Sequence, residues 1–513
     1  MKTREELAAL AAEECSKAAT SAHIGEGRPF WNAEGNQFMY VPAFHFPPMP
    51  GAPKYRYTAK DETGTVHTFE ADSASASLEP IWKDIPEGVV ELVVQSLDPD
   101  GNAQYTVGTR TFFRLAPFPA DTPEPVLSFR ECAARAYDYA MTQKFLLHWR
   151  DKGTPDPEYN LNVYPAKMIS ATVNAMLYYE TLRPERAADA RKIAVNAADY
   201  LLSITPQSGP MRGLPPTYYI DFRENPEKQI NFTAADRLGT NMMLYPASAG
   251  VAYLKLEKVT KDPKYLEAAL VIGEFFRDHV EENGSWYLVR DAKTGEPIGP
   301  DFISPMHHIT PFLMDLYART KDPIWKKLAD GTVAYTERSE AVNYEWGGQF
   351  EDSFCSANYS NLTHFNASSL IRHYCRYYRD DPEKMAAAVD LGRFIEDQFV
   401  IWKRPAPWDR MRFKTDLWLT PCGLEQYKWY VPIDDSAAEI MMMFLELYRA
   451  GQGDLYLAKA KALGASITRS QQENGMIPTH WMEPRHLKGD DFWINCMFAT
   501  AGMLTEFAEA VEA

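Results

Sequence analysis

From Phe129 to the C-terminus, apolar residues recur at helical spacing, and strand signals nearly vanish. The period predicts helices over Phe129–Trp149, Tyr164–Leu182, Glu185–Ile204, Ala247–Val259, Lys264–Val280 and Met306–Arg319. It continues over Ile324–Glu337, Thr363–Tyr378, Glu383–Phe399, Ser436–Arg449, Leu455–Gln471 and Phe492–Glu509. Arg28 to Phe118 has another rhythm, with short β-rich runs (FMYVPAF, KYRYTA, TVHTFEA, VVELVVQSL, AQYTVGT, RTFFRL) between turn signals such as Glu62-Thr63-Gly64 and Asp98-Pro99-Asp100-Gly101. Strands of this length and spacing predict an antiparallel β-sandwich of immunoglobulin or fibronectin type.

The helix connections carry further information. Lys261-Asp262-Pro263, Lys321-Asp322-Pro323 and Asp380-Asp381-Pro382 each place an N-cap Asp before a proline at the first helical position. Their spacing is a repeat of ~60 residues, the size of a helix pair in a solenoid or toroid. At the other end of each pair the links are longer and rich in Gly, Trp and polar residues: Ser208–Tyr245, Asn283–Pro305, Tyr344–Leu362, Pro405–Asp435 and Asn474–Asp491. Short links on one side and long links on the other predict an (α/α)6 toroid whose inner helices follow the long links. The chain then divides into an N-terminal helix (1–27), a β-sandwich accessory domain (28–118), a proline-rich linker (119–128) and a mainly α catalytic toroid (129–513). The sandwich serves as a brace against the toroid or as a carbohydrate-binding module.

Composition narrows the function. The net charge is −17, so nucleic acid and anionic membrane are poor partners. Cys15, Cys132, Cys355, Cys375, Cys422 and Cys496 are scattered without metal-type spacing and read as reduced, mostly buried thiols. No apolar run approaches membrane-spanning length, and the first residues are charged and amphipathic. The expected location is the cytoplasm, or the periplasm or exterior if a leader has been removed. No Walker loop, dinucleotide fingerprint or GxSxG elbow occurs, and no cofactor or metal is expected.

The long links hold the candidate chemistry. Glycoside hydrolysis needs two carboxylates, one protonated and one ionised. The catalytic candidates are Glu351 or Asp352 as one member of the pair and Glu425 or Asp435 as the other; Asp434, Asp490 and Asp491 have a plainer role as helix caps. Asp236, Arg237, His307, His308, Gln349, His364 and His480 are candidates for holding sugar hydroxyls or a carboxylate. Trp346, Tyr359, Trp481 and Trp493 are candidates for stacking on or walling a sugar, although each also suits plain packing. Arg212, Arg237, Arg410, Arg412 and Arg485 share these links, and the bidentate fit of Arg to carboxylates tilts the substrate towards a uronic acid.

The stretch CGLEQYKWYVPIDDSAAEIMMMFLELYRAGQGDLYLAKAKALGASITRSQQENGMIPTHW, followed by FWINCMFATAGML, resembles the end of bacterial toroid enzymes of β-glucuronidase and unsaturated glucuronyl hydrolase type. The architecture from Phe129 onward is similar to that of the six-hairpin glycosidases that carry an N-terminal β-sandwich. The Asp-Ala-Gly-Asp signature of toroid cellulases and the Arg-His-Glu signature of toroid sugar epimerases are missing. The resemblance implies an exo-acting hydrolase that removes a terminal uronic acid from an oligosaccharide or glycoside. A uronate lyase with Tyr359 or His364 as base, and a non-catalytic sugar-binding toroid, are the alternatives.

Overall fold

A computed structural model describes residues 2–17, 35–159, 164–217, 239–342, 344, 346, 363–407, 418–425, 432–481 and 492–512. The chain opens with helix α1 (Arg4–Glu14), closed by a Thr3–Glu6 capping box. Strands β1 (Gln37–Phe38), β3 (Lys54–Lys60), β4 (Val66–Ala71), β6 (Gly88–Leu97) and β7 (Ala103–Arg114) form one sheet in the order β1-β7-β6-β3-β4. The anticipated turns lie between the expected strands. Asp98 closes the second one by accepting the N–H groups of Asp100 at 2.9 Å and Asn102 at 2.8 Å.

The anticipated sandwich is realised only in part. The second layer is a two-stranded ribbon, β2 (Ala43–His45) with β5 (Ser75–Ser77), beside the short helix α2 (Glu79–Trp82). Its aromatic side chains cover one face of the sheet: Phe44 lies 5.6 Å from Phe112, and Phe46 occupies the space a Cβ on Gly108 would need. Strands that alternate buried and open positions bury one face only, and a ribbon with one helix suffices to cover it.

The helical region follows the expected segments closely. Its first segment breaks into α3 (Phe129–Ala140) and α4 (Lys144–Lys152). Next come α5 (Pro165–Leu182), α6 (Ala187–Ile204), α7 (Leu244–Thr260), α8 (Pro263–Asp278), α9 (Ile309–Thr320) and α10 (Pro323–Thr336). The chain ends with α11 (Phe365–Tyr377), α12 (Pro382–Phe399), α13 (Asp434–Arg449), α14 (Asp454–Ser470) and α15 (Ile494–Val511). The three Asp-Pro connections work as read: Asp262, Asp322 and Asp381 each accept a first-turn N–H. Lys261 and Lys321 adopt left-handed backbone to end the preceding helices.

Helices α5, α7, α9, α11, α13 and α15, those that follow the long links, form the inner ring, and α15 packs back on α5 to close it. Helices α6, α8, α10, α12 and α14 each lie outside the inner helix they follow, and α3 covers α15. This is the (α/α)6 toroid, lined at the far rim by polar groups from all six inner helices. There Tyr178 donates to Glu506, Lys255 reaches Tyr178 at 3.3 Å, Arg376 pairs with Glu446 at 2.8 Å, and Asp315 faces Lys255, Arg376 and Glu506.

Two features were not anticipated. The long links carry a three-stranded sheet, β8 (Thr240–Met242), β9 (Tyr287–Asp291) and β10 (Pro297–Ile303), in the order β10-β9-β8. A second pair, β11 (Val400–Ile401) and β12 (Cys422–Gly423), ties the end of α12 to the approach of α13. The N-terminal sheet is fastened to the end of α12 by hydrogen bonds. Gln37 and Gln398 exchange side-chain-to-backbone hydrogen bonds at 3.2 and 2.9 Å, and Asp397 accepts the N–H groups of Met39 and Tyr40 at 2.5 and 2.7 Å.

Candidate active site

The candidate residues lie where inner helices begin, and the approach to α13 is built most firmly. Leu424 bridges Pro432, and Ile433 bridges His480. The Asp434 N–H donates to the Thr479 carbonyl at 3.0 Å, while the Trp493 N–H donates to the Thr479 hydroxyl at 2.7 Å. One residue thereby ties the starts of α13 and α15 together. Gly423 sits directly under this junction: a Cβ there would come within 2.8 Å of the Ala437 backbone nitrogen.

Asp434 and Asp435 open α13, but neither caps it. The N-cap position belongs to Ile433, with no side-chain cap bond. Asp434 is fully buried and accepts the Thr500 hydroxyl at 3.0 Å; burial first, then the neighbouring Asp435, pushes its carboxyl well above the usual range. Asp435 keeps partial access to water. Desolvation, then the charges of Glu439 and Glu425, push its carboxyl up to about 8, against the opposing pull of Lys167. Glu425 and Asp435, both in the link that leads into α13, therefore bear on each other, with an ammonium from the first turn of α5 beside them. Lys167 itself lies over the Tyr245 ring at 5.3 Å and the Tyr164 ring at 5.9 Å.

A histidine cluster occupies the neighbouring starts of α9 and α11. His307 and His308 lie 4.2 Å apart, centre to centre, and His307 and His364 flank Phe365 at 5.6 and 4.3 Å. Asn366 orders the group. Its Nδ2 faces the Glu340 carboxylate at 3.3 Å, so its Oδ1 accepts from both the His307 backbone N–H and the His307 ring, at 3.2 and 3.0 Å. The proton therefore sits on Nδ1 of His307, leaving Nε2 as the lone-pair nitrogen. Burial pushes His307 down to about 4 and His364 down to about 3, and it pushes His308 well below its ordinary value. All three imidazoles are neutral at pH ~7.

Of the residues expected from sequence, Glu425, Asp435, His307, His308, His480 and Trp493 meet at this rim. His480 and Trp493 pack edge to face at 5.7 Å, and Trp493 is 42% exposed. Three expectations need revision. Trp346 and Trp481 are fully buried, so neither offers an open ring face to a sugar, and His364 is enclosed rather than presented to the opening. Each was drawn into the core because its helix entrance is tied down: Thr363 donates to the Trp346 carbonyl at 3.1 Å, and Trp481 donates to the Pro432 carbonyl at 3.0 Å. Glu351, Asp352, Asp236, Arg237, Gln349 and Tyr359 lie outside the described residues, as do Asp490, Asp491, Arg410, Arg412 and Arg485.

Sequence reading missed Lys167, Glu340, Arg372 and Glu439. Glu439 had a usable signal, since it stands one helical turn after Asp435 on an inner helix. Lys167 and Glu340 had none, because both belong to helix pairs remote in sequence from α13. Among the described residues no cluster of three or more His, Cys, Asp or Glu is arranged to hold a metal ion, and Cys15, Cys132, Cys375, Cys422 and Cys496 are buried free thiols. Among the described residues no helix is long and apolar enough to cross a membrane.

No family model matches the chain, and no curated protein matches its sequence. Solved structures do. A sugar epimerase from a ruminal bacterium is 11% identical with a TM-score of 0.52, over 75% of this chain and 99% of that one. A cellobiose 2-epimerase from Spirochaeta thermophila is 13% identical with a TM-score of 0.50, over 74% of this chain and 97% of that one. A family 76 glycoside hydrolase from a bovine Bacteroides thetaiotaomicron strain is 11% identical with a TM-score of 0.48, over 90% of this chain and 93% of that one. The first two likenesses establish the toroid fold of this chain.

Proposed function

We propose that this toroid is a carbohydrate-active enzyme, and that it hydrolyses a glycosidic bond at the rim where the long links gather. In this reading Asp435 is the general acid, Glu425 is the ionised partner, and the bond cleaved releases a terminal uronic acid. The observation that carries it is the pair itself. One carboxyl at the mouth of the ring is pushed up to about 8 and so holds its proton at neutral pH, with a second carboxylate of the same link bearing on it. Hydrolysis of a glycoside asks for that division of labour between an acid and a base or nucleophile. Lys167 supports the uronate part of the reading, as a cation at the same rim that can meet a sugar carboxylate. The open face of Trp493 suits a sugar ring on the leaving-group side.

Turnover of an aryl β-glucuronide and of unsaturated uronide disaccharides tests the proposal. Asp435→Asn and Glu425→Gln are each expected to lower kcat by about 10²-fold or more while melting as the wild type does. Near-normal rates in both variants, or a wild type inert on every uronide, overturn it. One observation favours a second reading: His307 is neutral, with its Nε2 lone pair fixed by Asn366, as a base abstracting the proton next to a uronate carboxylate would be. Elimination from a saturated polyuronate creates an ultraviolet-absorbing double bond, whereas hydrolysis of the same substrate creates none.

A further inference from the structure

Asp435 does not stand alone on its helix face. Glu439 lies one turn deeper on α13, and side chains four residues apart on a helix are neighbours, with Cβ atoms about 5–6 Å apart. From the neighbouring inner helix, Arg372 of α11 donates to Glu439 Oε2 at 2.8 Å, and both side chains are largely covered. The pair spans two inner helices beneath the mouth, so Glu439 is held at a fixed place below Asp435 rather than swinging into solvent. We infer that Glu439, anchored by Arg372, is a positioning residue that keeps Asp435 in its proton-bearing form. The inference rests on the reading of Asp435 as the general acid, and it assigns Glu439 no contact with substrate.

The remaining charged and titratable groups around Asp435 leave room for this role. Asp434 precedes it on α13, Glu425 approaches from the link, Lys167 reaches in from α5 and Cys496 faces it from α15. Lys167 opposes the carboxylates, and His308 of α9 faces Lys167. Among the like charges on Asp435, Glu439 weighs more than Glu425. The ion pair with Arg372 at 2.8 Å fixes the position of Glu439 from a second helix.

The test reads the proton on Asp435 directly and needs no substrate. Full-length protein carrying ¹³C-carboxyl aspartate is titrated by NMR, with Asp435 assigned from the signal missing in Asp435→Asn. Glu439→Gln, which keeps shape and removes charge, is expected to lower the Asp435 midpoint by about one pH unit or more. Glu439→Asp, which keeps the charge, is expected to return the midpoint towards the wild-type value. An unchanged midpoint in Glu439→Gln overturns the inference, and so does an equal fall in both variants. Should Glu439→Gln unfold, the midpoint in Arg372→Gln decides: loss of the anchor is expected to lower it, and an unmoved or raised midpoint overturns the inference. If the NMR result holds while the wild type cleaves no uronide, the hydrolase reading has failed and the positioning of the proton has not.

Discussion

Asp434 and Asp435 are adjacent in the chain, yet they meet different surroundings. Asp434 points into the seam with α15 and takes the Thr500 hydroxyl, whereas Asp435 opens on the mouth of the ring. The first is therefore a stability group, and the second is the one proposed for chemistry. Burial raises the folded pKa of Asp434 above its unfolded value, so folding favours the protonated form. Its contribution is complete below the unfolded carboxylate value of about 4 and is lost as pH rises through the raised folded value. The melting temperature of the wild type should fall towards alkaline pH, and Asp434→Asn should flatten that fall. Parallel wild-type and variant curves in calorimetry between about pH 5 and about pH 9 would show that Asp434 carries none of it. The DDS motif was visible in the sequence, but which of its acids faces inward depends on where the helix starts. Alternation of environment between neighbours is a property of the folded helix.

The element that sets this start is the small sheet β11–β12 beneath α13. Gly423 has no room for a side chain, since a Cβ would meet the Ala437 nitrogen and Cα at 2.8 and 2.9 Å, and backbone cannot rotate away as a side chain can. Gly423→Ala should push the first turn of α13 outward, destabilise the fold by about 1–3 kcal/mol and reduce turnover. Gly331→Ala, inside α10 with nothing within 4 Å, is the control and should stabilise slightly. Equal melting temperatures for the two variants would remove the packing argument. The helices themselves were legible because the apolar period and the Asp-Pro starts are local signals. The strands β8, β11 and β12 were not, because two or three residues are too few to show alternation and they exist only by pairing with other segments.

At the scale of the whole molecule, one buried ion pair anchors the N-terminal segment to the ring. Lys459 of α14 and Glu396 of α12 meet at 2.6 Å with both side chains 1% exposed, while Tyr40 and Trp402 donate to the same carboxylate at 2.8 and 2.9 Å. Removing one partner leaves a buried charge unbalanced, so Lys459→Met should cost about 3–5 kcal/mol in chemical denaturation. Restoring balance with Glu396→Gln in the same chain should recover part of the loss, and a double variant no more stable than the single one would contradict this account. Lys459 and Glu396 are more than sixty positions apart. Nothing in the local pattern of either helix marks them as partners. What the sequence determined by itself was periodic: helices, their caps, the repeat and hence the ring, all of which follow from interactions among residues a few positions apart. Which acids face each other, which tryptophans are walled in and which histidine nitrogen keeps its lone pair were decided by tertiary structure. Burial and charge act through space, and only closure of the ring brings α5, α9, α11, α13 and α15 to one mouth.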